Sequence, residues 1–418
     1  MCQAGSVLPA LAIFSFAPFR HRPYARLWTG AFLSNIGTWM ESIAIGIYVT
    51  DVTGQAAWTG AVAAASFLPI GLLGPAGGAL ADRLPRRLLL MTTTFVEIGL
   101  TTLLTVLFIV GEPSPVVVTL IVFANGIAAA LGFPAYQAML PDLVPEEDLA
   151  GAMALSSAQY NLGRVVGPAL AAIVVAVGGY AWALGLNALS FVAVIIALLG
   201  VHLPLPAPTG SESFWESMRI GLRYVRSDAG LRVSFAAMCL NTLVIAPFIA
   251  LVPAMGEEVF DDATGILVTA QGIGAVTMGF SLGTLTNRYG PRRAVTTVLS
   301  LLPPALMLYA LAPVVWASAL TLVFVGAFYL GALSSFFTIS QMRAPASLRG
   351  RVLSVNNVIL GLLYPLGAVV QGRIADSVGL RATTFGAAVV MGVTLLAVRV
   401  LRPGITAAIE DPVPQPAS

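Results

Sequence analysis

The sequence predicts an all-α membrane protein with twelve transmembrane helices in two six-helix bundles that run parallel to each other. Three observations lead there: 58% hydrophobic against 10% charged residues, twelve apolar runs of membrane-spanning length, and a charged motif that occurs twice about half a chain apart. Soluble domains carry about 25% charged residues, so composition alone argues for a chain immersed in a bilayer.

A helix needs about 20 mostly apolar residues to cross the hydrocarbon core. Runs of that kind lie at 27–50, 57–81, 88–110, 115–138, 150–177, 180–201, 231–254, 264–286, 294–312, 316–338, 351–372 and 380–401. Span one follows Arg20, Arg22 and Arg26; "GALADRLPRR" joins spans two and three; "VPEEDLAGAMALS" leads into span five. Spans five and six are separated by "VGGYAW", so short that the two must be antiparallel neighbours. After span six, "HLPLPAPTG" opens the one long connection, 202–230. Its second part places Phe214, Met218, Leu222 and Val225 at helical spacing, with Arg219, Arg223 and Arg226 on other faces. That pattern predicts an amphipathic helix on the inner leaflet, a passive tether between the bundles being the compatible alternative. "GTLTNRYGPRR" follows span eight and "APASLRGRVLSVN" separates spans ten and eleven. The expected divisions are an N-terminal cytoplasmic or interfacial segment (1–26), a bundle (27–201), the linker (202–230), a second bundle (231–402) and a cytoplasmic tail (403–418).

Arginine counting orients the helices. All 21 basic residues are Arg. With the N-terminus inside, they cluster before span one, after spans two, eight and ten, in the long linker and at the end of span twelve. Arg373 and Arg381 fall outside and Arg164 within a span, as the positive-inside rule requires. Both termini are therefore expected in the cytoplasm. "GSVLPALAIFSFAPF" is apolar like a signal peptide but lacks a basic segment before it. A net charge of +2 gives no reason to expect a nucleic-acid partner. Cys2 and Cys239 have neither metal-site nor disulfide spacing, and His21 and His202 sit at membrane edges without zinc spacing. No Walker loop is present, no cofactor or metal is expected, and no catalytic constellation suggests an enzyme.

The motif Gly78, Leu80, Ala81, Asp82, Arg83, Arg86 and Arg87 resembles the loop after helix two of the major facilitator superfamily, with Pro85 where that family has a second glycine. The second copy has Asn287 for the aspartate and one inserted residue, so the charge chemistry is expected in the first copy alone. "SNIGTWMESIAIGIYVTDVTGQAAWTG", "LPDLVPEEDLAGAMALSSAQYNLGRVVGPALA" and "LRGRVLSVNN" are similar to the branch that holds enterobactin exporters and macrolide and multidrug efflux proteins. The resemblance implies the major facilitator fold, with substrate bound between the two bundles near the membrane midplane. It implies export of amphipathic small molecules, siderophore or drug-like, across a bacterial inner membrane, with protons as the counter-ion. The alternatives are an importer of a hydrophobic metabolite and a non-transporting receptor or scaffold. A monomer suffices for any of these.

The resemblance sets Asp82 against the N-terminus of helix eleven, where a carboxylate is favoured by about 0.3–1 kcal/mol. Gly78, Asp82, Arg83 and Arg86, with Asp142 at the end of helix four, then form a latch on the inner side. The plainer alternative is a positive-inside loop with one chance acid. Three ionisable groups lie within spans and are functional candidates for proton or substrate coupling: Glu41, Arg164 and Glu97. Glu41 is about 22 Å along helix one, and it is expected to approach Arg164 on helix five. Glu97, on a helix peripheral in the family, is expected to have a structural partner or to snorkel. Polar and aromatic cavity candidates are Asn35, Trp39, Asn125, Tyr136, Asn161, Asn241 and Asn357. On helix five, Gly163, Gly167 and Pro168 match the core of the efflux-type G-x-x-x-G-P motif, with Ala154, Ala171 and Ala172 where that motif has glycines. A small-residue packing seam explains the same spacing.

Overall fold

Proline and glycine decide where the apolar runs stop. Pro115 and Pro291 open helices at a position whose N–H has no helical partner, and Ser114 Oγ accepts from the Val117 N–H at 3.4 Å. Gly179 and Gly379 (φ 77° and 92°) each turn one helix into the next through a single residue, a conformation that side chains disfavour. The computed structural model describes residues 16–201, 214–261, 263–345 and 348–411, with the side chains of Asn161, Phe214 and Trp215 outside that set. Cys2, His202, most of the N-terminal segment and the end of the tail lie outside the described residues.

The chain forms α1 (Arg22–Thr53), α2 (Ala56–Arg83), α3 (Arg86–Val110), α4 (Pro115–Met139), α5 (Glu146–Gly178) and α6 (Tyr180–Leu199). A short α7 (Phe214–Ser227) follows. Then come α8 (Ala229–Leu240), α9 (Phe248–Glu258), α10 (Thr264–Tyr289), α11 (Pro291–Leu311), α12 (Val315–Arg343), α13 (Arg349–Val378) and α14 (Leu380–Leu401). Among the described residues there is no strand. Eleven spans are long and apolar enough to cross a membrane on length and composition alone, α8 and α9 counting as one. The twelfth, α1, is 32 residues long, but Ser34, Asn35, Thr38, Glu41 and Ser42 dilute its middle. It is the most polar membrane rod, and the polarity falls where the site is built.

One expectation needs correction and another gains detail. Span seven is not one α-helix: Asn241–Ile245 widen into a π-helical turn between α8 and α9. Pro247, two residues on, has no N–H to continue the ladder, so the chain yields there. The amphipathic α7 turns part of its apolar face to the second bundle, while Leu222 of the same stripe is exposed. Met218, Tyr224 and Val225 pack with Val352 and Val355 of α13, and Gly221 lies so close to the Arg351 carbonyl that an added Cβ would come within 2.7 Å of it. Glycine at 221 permits that approach; the three α7 arginines remain exposed.

Within the first six helices, α1 packs on α5 and α6, α2 on α4, and α3 on α4 and α6. Within the last seven, α12 packs on α10 and α11, and α11 on α14. The halves meet along α2–α13 and α5–α10, with α1 against α9. These seams are nearly bare backbone. Gly71 faces Gly361 so closely that a Cβ on Gly71 would lie 2.6 Å from the Gly361 carbonyl carbon. A Cβ on Gly372 would lie 2.8 Å from the Ala56 oxygen, and one on Gly272 2.9 Å from Val165. The Ala57 N–H points to both Asp376 oxygens at 3.3 Å. These contacts run from the middle of the helices, where Gly71 and Gly361 meet, to the end that carries Gly179 and Gly379.

Candidate functional site

Glu41 is 7% exposed, on the face of α1 turned to α6. Gly37, one turn earlier, lets α6 come close: a Cβ there would meet Ser190 Oγ at 2.5 Å and the Asn187 backbone at 3.0 Å. Asn187 Nδ2 donates to Glu41 Oε2 at 2.6 Å, and Ser190 Oγ donates to Asn187 Oδ1 at 3.0 Å, holding the amide with its N–H₂ toward the carboxyl. Thr101 of α3 and Asn125 of α4 complete the donor set around Glu41, and Asn125 Nδ2 is itself bonded to Thr101 Oγ1 at 3.0 Å. No ion pair to Glu41 is formed among the described residues.

The expected approach of Glu41 to Arg164 is therefore wrong. Gly163 and Gly167 seat α5 on α1 through Asn35, Ile36 and Trp39, with Cβ contacts of 2.9 Å and 2.6 Å if a methyl were added. Arg164 lies over the Trp39 ring, 5.4 Å from its centroid. Trp39 and Glu41 are two residues apart, about 200° around a helix, so a partner of one cannot reach the other. The glycines of helix five thus act as an α1–α5 seam here, with Pro168 buried just beyond it.

Glu97 lies one turn before Thr101 on the same face of α3 and is within electrostatic reach of Glu41. It lines a cavity of about 400 Å³ walled by α1, α3, α4, α5 and α6. A chain of side chains crosses that wall: Asn35 Nδ2 donates to Gln159 Oε1 (2.8 Å), Gln159 Nε2 to Tyr136 OH (3.2 Å), and Tyr136 OH pairs with Ser156 Oγ (3.3 Å). Asn35 and Tyr136 line the cavity; Trp39 and Asn125 do not. Asn241 is buried at the π-helical turn with neither amide atom bonded, and Asn357 is exposed on α13. The side chain of Asn161 lies outside the described residues. Sequence reasoning missed Asn187 and Thr101 as partners of Glu41. The available signal was a lone Asn in the otherwise apolar span six.

At the opposite end from the bare seams, Arg86 Nη1 bonds Asp142 Oδ2 at 2.6 Å and the Ala138 oxygen at 2.9 Å, pinning the start of α3 to the end of α4. This pair lies within one half, so it does not itself bridge the two. Asp82 and Arg83 are exposed and have no hydrogen bond or ion pair among the described residues. A Cβ on Gly78 would meet open space. The expected contact of Asp82 with the start of helix eleven is not made in this conformation; the close approaches of α2 and α13, at Gly71–Gly361 and Ala56–Gly372, lie further along both helices. Asp142→Ala is expected to cost no more than about 1 kcal/mol, since the pair is partly exposed; thermal unfolding in detergent micelles measures it.

A family model described as "Transmembrane secretion effector" matches residues 13–414. Macrolide efflux protein A of Streptococcus pyogenes is 26% identical over 370 residues, covering 84% of this chain and 89% of that protein. Enterobactin exporter EntS of Salmonella typhimurium is 28% identical over 344 residues, covering 79% and 80%. Among solved structures, a bacterial homolog of the human lysosomal transporter Spinster, inward-facing and unoccupied, superposes with a TM-score of 0.75 at 16% identity, over 96% of this chain and all (100%) of that one. A bacterial homologue of the iron transporter ferroportin, also inward-facing, gives 0.67 at 17% identity, over 90% and 98%. At those identities the solved structures speak to the fold, which is that of the major facilitator transporters.

Proposed function

The chain belongs to the transmembrane secretion effector family of major facilitator transporters, and from that premise we propose that it exports amphipathic small molecules across a bacterial inner membrane in exchange for protons. The observation that carries the reading is Glu41. An ionisable group deep in a membrane helix is expensive and is kept where it serves transport. Here it sits among three neutral hydrogen-bonding side chains rather than beside a cation, so gaining or losing a proton changes the charge of the bundle's interior outright. Export as the direction is supported by the two efflux relatives. Drug-like and siderophore substrates remain distinct options within it.

Alternating access follows from the seams. The halves touch through Gly71–Gly361 and Gly272–Val165, while Asp82 stands free at the other end. With both termini in the cytoplasm, this is an inward-open arrangement of a single monomer. Rocking about the seams brings Asp82 to the first turn of α13 and closes the inner side, with Gly78 and Arg83 beside it and Arg86–Asp142 holding the loop. Arg164, facing Tyr329 and Tyr364 of the other half within electrostatic reach, is placed to sense that closure.

The test is transport in inverted vesicles under an imposed proton gradient, with a radiolabelled macrolide and a radiolabelled catecholate siderophore as alternative cargoes. Gradient-driven accumulation of one cargo is expected for the wild type. Glu41→Gln is expected to abolish it while sparing cargo–cargo exchange. Equal gradient dependence in wild type and variant removes Glu41 as the coupling site; movement only down into the cytoplasmic side replaces export by import.

A further inference from the structure

Glu97 was expected to have a structural partner or to snorkel, yet its surroundings give it no structural partner. Among the described residues its carboxyl makes no hydrogen bond and no ion pair. Glu41, within electrostatic reach, is by contrast held by Asn187 and its neighbours. Glu97 instead opens on the 400 Å³ cavity and, among the described residues, is the only formally charged side chain lining it; no arginine or histidine does. Arg164 is turned to Trp39 and stays off the wall.

We propose that this cavity is a subsite for the protonated amine of an amphipathic ligand, with the Glu97 carboxylate as its counter-charge. Asn35, Thr94 and Tyr136 lie on the same wall and supply oxygen atoms to the remaining ammonium hydrogens. Phe133 and Tyr160 provide the aromatic faces that suit both a cation and the apolar body attached to it. Two neighbouring carboxyls, one of them unpaired, favour a cationic head group and penalise a carboxylate or catecholate in the same place. The volume falls at the small end of ligand pockets, enough for an amine-bearing arm of a larger molecule. The binding rests on the cavity alone; only its use in moving cargo rests on the proposed transport.

The test uses the full chain in lipid nanodiscs at neutral pH and two fluorescent probes: dansylcadaverine, which ends in a primary amine, and its N-acetyl derivative, which is neutral. The wild type is expected to bind the amine at least about ten-fold more tightly, the size of one charge-assisted hydrogen bond. Glu97→Gln is expected to erase that preference while keeping the affinity for the neutral probe, which also reports that the variant is folded. Glu97→Asp should retain part of the preference, and Glu112→Gln, just beyond the far end of α3, all of it. Equal affinities in the wild type, no saturable binding of the amine, or a preference that survives Glu97→Gln each overturn the proposal. Gradient-driven flux without amine preference would leave the transport function standing and remove this subsite; amine preference without flux would do the reverse.

Discussion

Arg343→Ala is expected to destabilise the protein by about 3–5 kcal/mol, because it strands a buried carboxylate. Arg343 Nε and Nη2 each donate to Asp228 at 2.7 Å, and the side chains are 5% and 0% exposed. Arg343 Nη1 also donates to the Ile409 and Asp411 oxygens at 2.8 and 2.9 Å, and Asp228 Oδ1 caps the start of α8 through the Leu231 N–H at 2.6 Å. One guanidinium therefore joins the end of α12, the start of α8 and the segment after α14. Tyr224 of α7 adds a bond to the Arg343 oxygen at 3.0 Å. Unfolding in mixed detergent–SDS micelles measures the loss. The paired change Arg343→Met with Asp228→Leu should recover a large part of it, since it leaves neither charge behind. A single-variant loss below about 1 kcal/mol would mean that the pair is solvated, against its burial.

Gly361→Val is expected to be the most damaging small substitution in the inter-half seam. A Cβ there runs into the Gly71 backbone, which cannot step aside as a flexible side chain can. Overpacking of this kind costs about 1–3 kcal/mol even where side chains can yield. Either the helices separate or the conformer joined at this seam is lost, so both the unfolding midpoint and any gradient-driven flux should fall. Gly74→Ala, on α2 with Gly71, is the control, since nothing lies within 4 Å of the place its new methyl would take. If the two variants unfold alike, the α2–α13 contact does not hold the halves together.

Much of this was legible in the sequence. Apolar runs against charged interruptions located the membrane rods, and "ADRLPRR" and "TNRYGPRR" revealed the doubled architecture. Glu41 stood out because carboxyls are rare in such runs. What could not be read was orientation around the helix axis. Trp39 and Glu41 lie two residues apart in sequence and point to different helices, so Arg164 pairs with Trp39, and Asn187 holds the place beside Glu41 that Arg164 was expected to fill. The Glu97 cavity was hidden for a similar reason: it needs five helices to enclose it, and no spacing along one of them reports the other four. Asp228 and Arg343, 115 positions apart, look like a helix cap and a terminal arginine until the fold joins them.

The one-residue turns at Gly179 and Gly379 bear on how the molecule can be handled. Their end of the bundle is closed by connections no longer than the one between Glu258 and Thr264. It offers no strip of chain for a protease, an antibody or an inserted tag to grip. Reagents meant to trap or label the protein without disturbing it belong at the other end, where Asp82, Arg83 and the three α7 arginines are exposed.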